Sequence, residues 1–123
     1  MRILPFVAAV ALLATPALAQ ERKIAELRGL DKVTARISTI EAVIDQPVRF
    51  GALEIVVRSC NKRPPEEPPE VGAFLEITER RPGSDPTKVF SGWMFASSPA
   101  LNALENPVYD VWVIDCKARA PGK

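Results

Sequence analysis

Ser97 and Ser98, the carboxylates Glu54, Glu105, Asp110 and Asp115, and the pair Cys60 and Cys116 are the side chains with chemistry to offer in this 123-residue chain. The chain contains no His, which excludes Ser-His-Asp and Cys-His nucleophiles and removes the commonest ligand for zinc and copper. A serine nucleophile would need a lysine base such as Lys88. The place of Ser97 and Ser98 directly before Pro99 is already explained by helix capping. Asp110 and Asp115 stand five residues apart in one extended run, on opposite faces of a regular strand, and make a poor acid–base pair. Glu54, Glu105 and Asp110 have no spacing that brings them together. No calcium-loop spacing is present for an all-oxygen metal site. Arg36 and Arg58, on polar strand faces, fit cross-strand salt bridges better than an anion site. No catalytic constellation, metal site or cofactor follows from these residues. A carboxylate-based hydrolase remains as one alternative, and its structural sign would be a close pair of buried carboxylates in a cleft.

The positioning elements start after an address. Arg2, the apolar stretch from Ile3 to Ala14, Pro16 and the small-x-small site Ala17-Leu18-Ala19 have the three-part layout of a secretory signal peptide over residues 1–19, with cleavage between Ala19 and Gln20. No Cys follows that site for lipid attachment. The full chain has 16 basic and 15 acidic residues, and loss of Arg2 with the leader balances them. A neutral chain argues against nucleic acid as a partner. No later run is apolar enough to span a membrane, so the expected location is periplasmic or secreted. In an oxidising compartment Cys60 and Cys116 have only one possible pairing, a disulfide that staples the middle of the chain to its C-terminal strand. They are too far apart in sequence for a Cys-x-x-Cys redox motif.

Residues 20–32 are charge-dense and read as a solvated lead-in or one short helix. Residues 33–119 read as a single β-rich domain, and 120–123 as a tail. Val33, Ala35 and Ile37 alternate with polar residues, then Ile40, Ala42 and Ile44 continue on the other parity, which suggests a bulge. Leu53, Ile55 and Val57 mark a second strand and Ala73, Leu75 and Ile77 a third. Residues 88–96 and 108–116 are apolar on both parities. Between them, Ser98 as N-cap, Pro99 at the first helical position and Pro107 as a stop predict one short helix over 98–105. Residues 62–70, rich in Pro and Glu, form an extended connection between the second and third strands. The fold class is therefore all-β with one short helix, a small disulfide-stapled β-barrel or β-sandwich.

The string Gly92-Trp-Met-Phe-Ala-Ser-Ser-Pro99, with Leu30–Arg36, Phe50–Cys60 and the run to Cys116, resembles a family of small exported alphaproteobacterial proteins, domain-of-unknown-function family 2155. The family pattern favours Gly where Ala35 stands and His where Asn106 stands. The resemblance covers nearly all of the exported chain. It implies a secretion signal, a paired cysteine and an envelope location, but no reaction.

Trp93, Met94, Phe95, Tyr109 and Trp112 concentrate the aromatic and soft apolar surface, and Leu101 sits between them. They serve either as core around the disulfide or as an exposed interaction surface. The expected function is a non-enzymatic binding or assembly module that engages an unknown envelope protein through Trp93, Met94, Phe95, Leu101, Tyr109 and Trp112. A second alternative is a domain binding peptidoglycan or another cell-wall glycan, with Trp93, Tyr109 or Trp112 as stacking platforms.

Overall fold

The computed structural model describes residues 22–119, which form seven strands. These are β1 (Arg22–Asp31), β2 (Arg36–Val43), β3 (Val48–Phe50), β4 (Leu53–Lys62), β5 (Val71–Glu79), β6 (Thr87–Phe95) and β7 (Tyr109–Arg119). They build two antiparallel sheets, a three-stranded one ordered β2-β1-β7 and a four-stranded one ordered β3-β4-β5-β6. The sheets stack as an open sandwich, so of the two expected architectures the closed barrel is not formed. The leader, the Ala19–Gln20 cleavage site and the tail at 120–123 lie outside the described residues.

Strand parity sorts the side chains. Ala25 and Leu27 on β1, Ile40 and Ala42 on β2, and Val111 and Val113 on β7 turn inward and are buried. They meet Leu53, Ile55 and Val57 of β4, Ala73, Leu75 and Ile77 of β5, and Met94 of β6 in one apolar core. Area burial of this kind is the main term opposing chain entropy in a small domain. The Cys60–Cys116 disulfide crosses from β4 to β7 with its Cα atoms 5.8 Å apart and joins the two sheets covalently.

Three expectations are corrected. Within the charge-dense segment 20–32, Arg22–Asp31 is neither lead-in nor helix but β1, the central strand of its sheet. Glu26 and Arg28 sit on the outward parity, while Ala25, Leu27 and Gly29 face in. A Cβ at Gly29 would stand 2.8 Å from the Phe50 ring, so the glycine makes room for an aromatic from the opposite sheet. The short helix over 98–105 does not form either. That segment is a chain of turns, with Leu101.N–H donating to the Ser98 carbonyl. Only Leu104 buries an apolar side chain there, and one anchor does not make the apolar stripe a surface helix needs. Finally, the parity change near Thr39 is not a bulge. Val33 and Ala35 lie in the β1–β2 turn, with Ala35 at φ 57°, and β2 then runs regularly against β1 from Arg36.

The bulges fall elsewhere, at Ile114 on β7, Arg58 on β4 and Val89 on β6. The first reverses one expectation. Asp110 pairs with Leu30, Trp112 with Arg28 and Asp115 with Glu26, so Asp110 and Asp115 share the outer face. One extra residue re-aims every side chain beyond it.

Candidate functional site

The aromatic residues do not form one surface. Met94 is in the core and 3% exposed. Tyr109 packs edge-to-face on Phe50, with ring centroids 5.6 Å apart, and its hydroxyl accepts the Ala52 N–H at 3.2 Å. Gly51, at φ +57°, leaves the space that this hydroxyl fills; a Cβ there would lie 2.4 Å from it. Tyr109 is thus a closure for the β3–β4 turn rather than a stacking platform. Trp93 lies opposite Phe74 on the outer face of the four-stranded sheet, whereas Trp112 lies opposite Arg28 on the outer face of the three-stranded sheet. Neither tryptophan belongs to the core.

The Trp112 face is organised by rows across β2, β1 and β7. Ile37, Leu30 and Asp110 form the first row, Thr39, Arg28 and Trp112 the second, and Glu41, Glu26 and Asp115 the third. The turns after β6 come over this face, and Pro99, Ala100 and Ala103 enclose a groove of about 370 Å³ against Trp112 and Asp110. Leu101, between those alanines, is 73% exposed, and Ile37 and Val33 at the hairpin end are 62% and 77% exposed. Of these, Ile37 stands in the row of Asp110, which lines the groove.

At the other end the third row sets Glu26 beside Asp115, a like-charge pair that destabilises unless it is offset. Lys117.Nζ lies 3.4 Å from Glu26, and Lys62.Nζ lies 2.9 Å from Asp115. Partial burial pushes the Asp115 carboxyl upward, but hydrogen bonds from Lys62 and the Cys116 N–H, with the charges of Lys62 and Lys117, outweigh it and leave it below its ordinary value. Among the described residues the only buried polar or charged side chain is Asn106, so the buried carboxylate pair a hydrolase would need is not formed. Glu54 pairs with Arg80 at 2.9 Å on one outer face while Asp110 lies on the other, so these two carboxylates are not brought together. Arg58 holds Asp45 at 3.1 Å and Glu76 at 3.5 Å, the salt-bridge role expected of it.

Asn106 is a residue whose importance local sequence did not reveal. Its side-chain amide donates to Glu79 at 2.9 Å, and its side-chain oxygen accepts the Val108 and Tyr109 N–H groups at 2.9 and 3.1 Å. Its carbonyl accepts from Lys32.Nζ at 2.8 Å. This residue fixes the connection between the sheets and thereby aims the Leu101 turn. Arg81 and then Asn106, both donating to Glu79, hold that carboxyl below the usual range.

On the opposite face Trp93 packs edge-to-face on Phe74 at 5.7 Å. A Cβ at Gly72 would lie 3.1 Å from Phe95.Cε1 and 3.8 Å from Trp93.Cε3, so both rings lie over bare β5 backbone. Asn102.Nδ2 donates to the Trp93 carbonyl at 2.8 Å, which occupies one acceptor on the free edge of β6. The Ser97 hydroxyl donates to Glu70, and this bond holds the Glu70 carboxyl below its ordinary value.

An open, disulfide-stapled β-sandwich with two differently built outer faces is the class of module these features define. The chain belongs to the DUF2155 family, described as uncharacterized protein conserved in bacteria, whose model matches residues 25–116. It is similar to an uncharacterised protein of Rickettsia prowazekii (strain Madrid E), with 32% identity over 88 residues, which is 72% of this chain and 57% of that protein. The chain thus spans little more than half the length of that relative. No solved structure matches. No helix of the described residues is long and apolar enough to cross a membrane.

Proposed function

We propose that the protein is a non-enzymatic binding module of the bacterial envelope, exported by the leader at residues 1–19, and that it docks a protein partner on the Trp112 face. The observation that carries this reading is the groove that Pro99, Ala100 and Ala103 form against Trp112 and Asp110, with exposed Ile37 in the same cross-strand row as Asp110 and exposed Leu101 next in sequence to Ala100. Interfaces are built in this way, with an aromatic anchor among apolar contacts and a polar rim. Asp110 at the groove wall suits a partner segment that sets a cationic group beside an apolar side chain. The Cys60–Cys116 bridge supports an oxidising compartment such as the periplasm. Capture from envelope extracts with the wild-type chain, Leu101→Asp and Ile37→Asp tests the reading. A specific partner should be lost from both variants while their unfolding midpoints stay unchanged. Retention of the same partner by both overturns it.

A second reading, binding of a cell-wall glycan, is favoured by the half-open aromatic floor on the opposite face. Of the three candidate platforms, Trp93 suits it, since the Tyr109 hydroxyl is engaged with Ala52 and Trp112 lines the apolar groove.

A further inference from the structure

Two depressions share Lys62 and Glu70 as a border. One, of about 240 Å³, is bordered by Asn61, Arg63, Trp93 and Phe95. The other, of about 470 Å³, lies at the sheet edge between Ser97 and the Glu26–Asp115 pair. The two therefore adjoin at Lys62 and Glu70, and together they are called the trough. It runs from the rings of β6, past the base of the proline-rich connection, to the bulge of β7. Arg63.N–H donates to the Glu70 carbonyl at 3.0 Å, which fixes both ends of that connection at the trough.

The lining has three properties. First, its charges are matched, because Lys62 is held by Asp115 at 2.9 Å and the charge of Arg63 acts on Glu70; a polyanion would find little net attraction. Second, it offers donors and acceptors together, with guanidinium and amide donors beside carboxylate acceptors. Third, Trp93 is 39% exposed and supplies an aromatic surface at one end only. Sugar hydroxyls both donate and accept, and the C–H face of a pyranose is apolar, so an aromatic surface with mixed polar groups beside it suits a sugar. An elongated trough suits several sugars in a row.

We propose that this trough binds an uncharged, extended pyranose chain, with one sugar stacked on Trp93 and its neighbours hydrogen-bonded along Asn61, Arg63 and Glu70. The inference rests on the glycan reading above and is independent of protein docking on the Trp112 face.

Calorimetric titration of the exported chain with chitotetraose, a β-linked tetramer of N-acetylglucosamine, tests it. Saturable binding is expected, weakened at least about tenfold by Trp93→Ala, the loss of one good contact. Trp93→Tyr should retain most of the affinity and Trp112→Phe all of it, with thermal midpoints checked for each. Binding that is indifferent to Trp93→Ala overturns the trough but leaves a glycan reading at another surface. No saturable binding to chitotetraose or to purified cell-wall sacculi overturns both. Tighter binding of a sulfated tetrasaccharide than of chitotetraose overturns the uncharged ligand.

Discussion

Trp93 and Trp112 stand on opposite outer faces of the sandwich, one across from Phe74 and the other across from Arg28. The motif they share in sequence therefore serves two surfaces. On the Trp112 side the turn residues Pro99, Ala100 and Ala103 wall a groove, whereas the Trp93 side is bordered by matched charges. Substitution at one tryptophan leaves the other surface in place, which makes the two surfaces separable by mutation.

The disulfide links residues 56 apart in sequence across the two sheets. Chain-entropy arguments give such a bridge about 4 kcal/mol, within the usual 2–5 kcal/mol loss when a native bridge is removed. Urea unfolding of the Cys60→Ala, Cys116→Ala double variant should show that loss, and reduction of the wild type should match it. An unchanged midpoint would show that the bridge adds nothing to the packed core.

Ala35 occupies left-handed backbone at φ 57°, where a Cβ costs about 1–2 kcal/mol. Ala35→Gly relieves that strain but loosens the unfolded chain, so a net gain of about 0.5–1 kcal/mol is expected. Ala35→Val should lose stability. Chemical denaturation of the three proteins gives the order, and a Gly variant less stable than the wild type refutes it.

Removal of the Asn106 side chain strips acceptors from two backbone N–H groups and a donor from Glu79. Asn106→Ala should cost about 2–3 kcal/mol. It should also weaken partner capture, because the Leu101 turn loses its anchor. A loss under about 0.5 kcal/mol, the range of an ordinary surface change, would assign Asn106 no structural role.

The lowered carboxyls of Glu70, Glu79 and Asp115 set the sign of the acid response. Their folded values lie below the ordinary carboxylate values of about 4, so the unfolded chain binds more protons as pH falls. Their contribution is full above about pH 5 and is lost as pH drops through the folded values. The urea midpoint should stay level from about pH 6 to about pH 8 and fall below about pH 4. Glu79→Gln should make the fall shallower, and added salt should do the same for these partly exposed groups. A midpoint that rises on acidification contradicts the assignment.

Much of the sandwich was legible because β4 and β5 alternate cleanly, with Leu53, Ile55, Val57, Ala73, Leu75 and Ile77 all buried. The cysteine pair was legible because two cysteines allow a single intramolecular pairing. β1 was hidden by its composition: Glu26 and Arg28 flank Leu27, and an outward row of charges looks like a solvated segment until a facing sheet is known. The 98–105 helix failed for a related reason. Ser98, Pro99 and Pro107 carry capping grammar, but helices are held mainly by tertiary burial, and the outward Leu101 offered none. The site depended on register. Without the bulge at Ile114 Asp110 and Asp115 would face opposite ways, and no local pattern announces that bulge. The separation of Trp93 from Trp112 likewise follows from the assignment of β6 and β7 to different sheets, which is a property of the whole chain.

The most direct test of docking on the Trp112 face is photo-crosslinking in intact cells, with a benzophenone side chain placed in turn at Leu101, Ile37, Thr87 and Lys88. All four positions are exposed, but Leu101 follows the groove residue Ala100 and Ile37 lies in the row of Asp110, whereas Thr87 and Lys88 belong to β6 of the other sheet. One discrete crosslinked protein from Leu101 and Ile37, absent from Thr87 and Lys88, is the expected result. Equal crosslinking from all four, or none from Leu101 and Ile37, would contradict a docking surface at Trp112.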